Sequence, residues 1–265
     1  MARLAVVFLI ILTVPGLGVA NGTTVPPPAG LALDAEARVV EVIDGSTVLL
    51  EDGETVRLAG IEAPKHTSRD AASRTEPLAE KAKQALVDLV QGRRVGLATG
   101  NVPRDRYGRL RGHLMRSDDG TWIQGALLAA GLARVHSLVD DRAGVAEMHA
   151  IERGARADRR GIWSQPRYQV LTASKADDGL HSFQLVEGRV KAAAVVRGRG
   201  YLNFGDDWRE DFTVSIGPRD RRRFETEGIA IEDYEGRLVR VRGWVDSFNG
   251  PMIEATHPEQ IEVLE

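Results

Sequence analysis

The chain of 265 residues contains no cysteine. Disulfides are thereby excluded, and the fold must be held by its apolar core alone. Its length is enough for one large or two small domains. An excess of positive charge is also missing. The formal net charge is -3, which excludes a uniformly basic nucleic-acid binder and leaves only local electrostatic attraction. After Ala20, no apolar run approaches the roughly 20 residues that a spanning helix needs.

What is present begins with a leader pattern. Met1–Ala20 carries one early positive charge, Arg3, an apolar run from Leu4 to Leu12, and small residues at Gly18-Val19-Ala20. This is the pattern of a secretory signal peptide cleaved after Ala20. An uncleaved anchor is the alternative, but Pro15 and Gly16 make the stretch a poor span. The expectation is a secreted or periplasmic protein whose mature chain starts near Asn21 and has no integral membrane span. Residues 21–35, with Pro26-Pro27-Pro28, form an extended linker.

The stretch Val39–Lys65 organises the first half of the chain. Apolar-rich runs at Val39–Ile43, Thr47–Leu50 and Thr55–Ile61 flank the turn signals Asp44-Gly45 and Asp52-Gly53. Alternation broken by D-G predicts a β-meander. Pro64 then ends the last strand, so Glu62 and Lys65 sit at a strand end, where barrels place their sites. A helix is predicted over Pro77–Val90 from its 3.6-residue apolar period. Strands at Arg94–Leu97 and Leu110–Met115 flank the basic loop Arg104–Arg109. Helices come next at Ile123–Gly131 and Val145–Arg160, and Trp163 is expected as a core plug.

These motifs resemble the staphylococcal nuclease (thermonuclease-like) domain family. The resemblance is carried by Val42-Ile43-Asp44-Gly45-Ser46-Thr47-Val48, Arg57-Leu58 through Pro64-Lys65, Asp105-Arg106-Tyr107-Gly108-Arg109 and Gly161-Ile162-Trp163. It implies a mainly β, α+β fold: a five-stranded OB-type barrel with helices over residues 36–167. Residues 180–265 show alternating runs around a charged helix at Pro218–Thr226. They predict a second, β-rich domain, a small OB-like barrel. It resembles, weakly, C-terminal extensions of some bacterial members.

The family site holds calcium with two aspartates and a backbone carbonyl. A glutamate handles the attacking water and two arginines bind phosphate. The resemblance places those arginines at Arg57 and Arg109, with Arg106 and Tyr107 beside the second as substrate-binding candidates. Guanidinium forks suit phosphate oxygens. The first metal aspartate falls on Ser46 and the second on Glu62. The carbonyl falls on Ala63, the catalytic glutamate on Lys65, and a nucleotide-stacking tyrosine on Ser137. Ser46, Glu62 and Lys65 together carry no net charge, and the arginines make the pocket positive. Such a pocket attracts phosphate and repels calcium. No cofactor is expected; calcium enters by analogy alone. Asp44 suits a turn. His66 or His136 as a substitute base is the alternative.

Three functions stand as expectations. The first is an exported thermonuclease-like protein that binds phosphate-bearing ligands or nucleic acid, with weak or no calcium-dependent cleavage. The second is an active phosphodiesterase with a rearranged site. The third is a structural or protein-binding barrel of the cell envelope. The sequence names no protein partner.

Overall fold

The computed structural model describes residues 24–65 and 77–265. The leader Met1–Ala20 and His66 lie outside the described residues. Strands β1 (Ala35–Asp44), β2 (Thr47–Leu50) and β3 (Thr55–Leu58) form the expected meander, followed by the short β4 (Ile61–Glu62). Helix α1 spans Pro77–Val90, then β5 (Arg94–Arg104), β6 (Leu110–Arg116), α2 (Ile123–Ala129), β7 (Arg134–Val135) and α3 (Val145–Ala157). The barrel closes in the order β1-β2-β3-β6-β5, with β1 returning to pair with β5. Alternation explains which residues point inward: Ala37, Val39 and Val42 of β1 are buried while Arg38, Val40 and Glu41 face out. The change of phase between Val39 and Val42 coincides with register shifts in the β1–β2 ladder, a bulge that bends the strand. Leu78, Ala82, Leu86 and Val90 put the apolar stripe of α1 on the inner side.

The second sheet is built from β8 (Leu171–Thr172), β9 (Ser182–Arg189), β10 (Ala192–Val196), β11 (Arg199–Asn203), β12 (Thr213–Ile216), β13 (Leu238–Ser247), β14 (Pro251–Glu254) and β15 (Ile261–Val263). Helix α4 (Pro218–Thr226) interrupts them where the sequence places it. The region is β-rich as expected, but its strands do not close. They run β10-β11-β12-β14-β13-β9-β8, with β15 added beside β13. They form an open mixed sheet. The reason is topological: β12 and β14 pair in parallel across α4 and β13. Strand spacing does not encode that pairing.

Two cores are joined by a third. Trp163 is buried, as a core plug should be, in a cluster with Leu78, Ala155, Ile162, Phe183 and Leu185. It connects the helices of the barrel to β9. The chain reaches this position through Gly161, whose φ is +52° and where a Cβ would stand 2.1 Å from the Gly131 carbonyl oxygen. Only glycine fits so close an approach.

Charge completes the junction. Arg242 of β13 is fully buried and donates to Glu152 of α3 (2.9 Å) and Glu262 of β15 (2.5 Å). It also donates to the Val135 carbonyl at 3.2 Å. Burial opposes its charge, but Glu152 and Glu262 outweigh that and hold the guanidinium above its ordinary pKa. Removing one partner of a buried network strands the others without water. Arg242→Ala should therefore lower the unfolding free energy by about 3–5 kcal/mol. Arg153→Ala, which takes away a half-exposed contact to Glu262, should cost less than about 1 kcal/mol. Equal losses in denaturant unfolding would contradict the buried network's role.

Candidate functional site

The site is assembled by strand register. Asp44 closes the β1–β2 turn: its Oδ1 accepts the Ser46 amide at 2.8 Å and the Ser46 hydroxyl at 3.0 Å. Asp44 thus has the turn role expected of it. Across the β2–β3 ladder Thr47 faces Arg57, which brings the guanidinium under the turn. Arg57 donates to the carbonyls of Ser46 and Ile61, each at 3.2 Å. Burial lowers its pKa, partly offset by Asp44 and Glu62, yet an arginine stays charged.

The basic loop is organised by Asp105. Its Oδ1 accepts the amides of Tyr107 (2.8 Å) and Arg109 (3.1 Å), and its Oδ2 accepts Nε of Arg109 (2.8 Å). Burial raises the Asp105 pKa, but these hydrogen bonds bring it below the usual value. Gly108 supplies the positive φ of 81° that the turn requires. Because Arg57 pairs with Arg111 in the parallel β3–β6 ladder, Arg109 two residues earlier falls on the same side. Arg57 feels Asp44, Glu62, Arg109 and Asp105 electrostatically. Tyr107 is 69% exposed, with the guanidinium groups of Arg106 and Arg109 at 5.1 and 5.3 Å from its ring centre. Arg106 lies out against that ring.

The acid side of the site is dominated by a residue that the sequence motifs do not single out. Strand β4 pairs with β7 so that Glu62 stands opposite Arg134. Nη2 and Nε of Arg134 reach Glu62 Oε2 at 2.7 and 3.2 Å. Lys65 Nζ lies 3.5 Å from Glu62 Oε1. Burial pushes the Glu62 pKa up, but Arg134 first, then His136 and Lys65, bring it below the usual carboxylate value. Both carboxylate oxygens are thus engaged by cations. The remaining donors are the hydroxyl of Ser46, hydrogen-bonded to Asp44, and the Ala63 carbonyl. Calcium takes six to eight oxygens, with several anionic. Among the described residues no group of three or more His, Cys, Asp or Glu side chains could hold a metal. Among the described residues, Ser46, Glu62 and the Ala63 carbonyl do not fit calcium.

His136 and Ser137 are turned toward the second sheet. The His136 ring packs edge-on against Phe183 at 4.9 Å, and burial lowers its pKa. Ser137 is buried, with Oγ 2.7 Å from Nε2 of His257; Nδ1 of His257 meets the Thr256 hydroxyl at 2.9 Å. Arg134 itself donates to the Phe183 carbonyl at 2.8 Å. Signals for two of the missed residues exist. Asp105 opens a D-x-Y-G-R turn, where an aspartate cap is expected. Arg134 follows Gly131-Leu132-Ala133 as the first polar residue of a short strand. Nothing local marks Glu152 or Arg242.

A family model described as staphylococcal nuclease homologue matches residues 55–165. A probable staphylococcal-like nuclease of Oryza sativa subsp. japonica is 32% identical over 136 residues, covering 51% of this chain and 36% of that protein. A micrococcal nuclease of Shigella flexneri is 31% identical over 149 residues, covering 51% of this chain and 78% of its own length. Protein ParB of Escherichia coli is 31% identical over 150 residues, covering 54% and 78% respectively. The chain therefore spans little more than a third of the rice relative. The family match ends before β8.

The His257 contact has a consequence for pH. Burial pushes this imidazole down to about 4, with Glu259 opposing and Arg142 and Arg223 assisting. His113 and His149 are pushed to about 4 as well, first by burial. Between about 6.5 and 4 the unfolded chain takes up protons that the folded chain does not, so stability falls as pH drops through that window. Unfolding free energy should be lower at pH 5 than at pH 7, and His257→Gln should make the difference smaller. An unchanged pH slope in the variant would contradict this.

Proposed function

The chain belongs to the staphylococcal nuclease homologue family, and from that membership we propose a phosphate-binding protein with weak or no calcium-dependent nuclease activity. Its ligands are nucleic acid or other phosphate-bearing polyanions. One observation carries this reading: Glu62 is bound by Arg134 and Lys65 where the chemistry would need a free metal carboxylate. Phosphodiester hydrolysis needs an activated water as well as charge stabilisation on the phosphoryl oxygens. Arg57 and Arg109 can supply the second. Lys65 is an ammonium, a donor that cannot take a proton from water at neutral pH. Ser46 offers a neutral hydroxyl. The outcome is capture of a phosphodiester without the group that would break it.

The second reading, an active phosphodiesterase with a rearranged site, is favoured by the names of two of these relatives, which are nucleases. His136 does not help it, since its ring is packed on Phe183. An exported location is part of the proposal and rests on the Met1–Ala20 pattern alone.

The test uses protein recovered outside the cytoplasm, whose first residue is expected near Asn21. It should bind an oligonucleotide with an affinity that weakens with salt, because neutralised phosphates release counterions. Arg109→Ala should weaken binding by about 1–3 kcal/mol. Cleavage of DNA or RNA should be absent or unaffected by a chelator. Chelator-sensitive cleavage that disappears in Arg57→Ala would overturn the reading.

A further inference from the structure

Between the barrel and the second sheet lies a cleft of about 660 Å³, bordered by Glu62 and Lys65 on one side and by Trp244 on the other. Its volume is within the range of small-molecule sites, roughly 300–1,000 Å³. We propose that this cleft binds an unpaired base of a single-stranded nucleic acid, stacked on Trp244, beside a phosphate held from the barrel side. The inference deepens the phosphate-binding reading and rests on it for the phosphate alone.

Three observations carry it. The first is the indole. Alternation along β13 sends Val245 into the core and leaves Trp244 outside, 53% exposed. It pairs across the ladder with Phe183 of β9. A large aromatic face left open to a cleft is a platform for a base, and every base has a π-face to offer. The second is the wall. Arg134 lies 4.4 Å from the Phe183 ring centre and 5.5 Å from that of Tyr168, and Arg167 lies 4.8 Å from the latter. Guanidinium and aromatic groups interleave here as they do in grooves that track single strands. The third is charge. Among the described residues, Lys65, Arg134 and Arg167 line the cleft together with Glu62 and Asp178. The chain as a whole is negative, so the cleft is a local exception. Lys65 is 59% exposed and pairs with Glu62 at 3.5 Å, which leaves its ammonium open to solvent at the border of the cleft.

A base in a duplex is stacked and paired, and must leave both to enter such a cleft. A single strand has no such barrier, hence the preference. Glu62 borders the cleft and Arg57 donates to the carbonyl of the preceding Ile61 at 3.2 Å, so the cleft and Arg57 meet at β4. Trp244 and Phe183 lie beyond the residues matched by the family model, so the platform is supplied by the second sheet.

The experiment titrates the full chain with decathymidylate, the same length of abasic deoxyribose phosphate, a blunt duplex and thymidine monophosphate. It follows binding by anisotropy of labelled strands, with the mononucleotide as competitor. Trp244→Ala should weaken decathymidylate binding by about fivefold to a hundredfold and leave the abasic strand unchanged. Trp244→Phe should recover part of the loss. The natural protein should prefer the single strand to the duplex. Thymidine monophosphate separates a free-nucleotide site from a strand site: displacement of decathymidylate at equal concentrations would overturn the strand claim. Equal loss for decathymidylate and the abasic strand in Trp244→Ala, or no loss at all, would overturn the stacking claim. Failure of the natural protein to bind the abasic strand, with Trp244-dependent binding of decathymidylate intact, would instead overturn the phosphate reading and leave the platform standing.

Discussion

A fully buried arginine between two glutamates is the constraint on which the rest of this molecule depends. Three charges taken out of water are tolerated only while all three remain together. Arg242 comes from the second sheet, Glu152 from a barrel helix, and Glu262 from the last strand. The sheet therefore cannot leave the barrel without exposing or stranding a charge. Glu152 also acts within the barrel, where its Oε1 accepts the Val135 amide at 2.7 Å. That bond fixes β7 beside β4, and the register of β7 puts Arg134 opposite Glu62. The network in the interface thus touches the strand that carries Arg134 to Glu62.

The consequence is electrostatic. The family pattern implies a pocket that is negative before metal arrives. Here Arg57, Lys65, Arg109 and Arg134 stand with three carboxylates, Glu62, Asp44 and Asp105. Attraction for a phosphodiester needs no metal in such a place. The same inversion removes the acceptor that would take a proton from water. The surface then widens toward β13, where one exposed indole faces the cationic rim.

Much of the barrel is legible in the sequence because its signals are local. Alternation marks β1 to β3, D-G pairs mark their turns, and the apolar period of Pro77–Val90 matches α1 at both ends. The charge partners are not legible, because no periodicity reports which side chains meet across distance. Glu62 and Arg134 are separated by 72 positions, and Glu152 and Arg242 by 90. The helix around Glu152 has a solvent-like composition, yet that residue is wholly buried. A Lys65–Glu62 pair is present, but Arg134 makes the shorter contact and dominates the glutamate. For the second region, strand positions are legible and strand order is not. Parallel pairing of β12 with β14 joins segments whose spacing looks like any meander.

Calcium titration by calorimetry tests the central claim most directly, because it asks whether Glu62 is available to a metal. The natural protein should give no saturable heat up to about 10⁻³ M calcium, the weak end of physiological sites. Ser46→Asp combined with Lys65→Glu, which adds two carboxylates and removes one cation, should give saturable binding. Saturable calcium binding by the natural protein, lost in Glu62→Gln, would contradict the account.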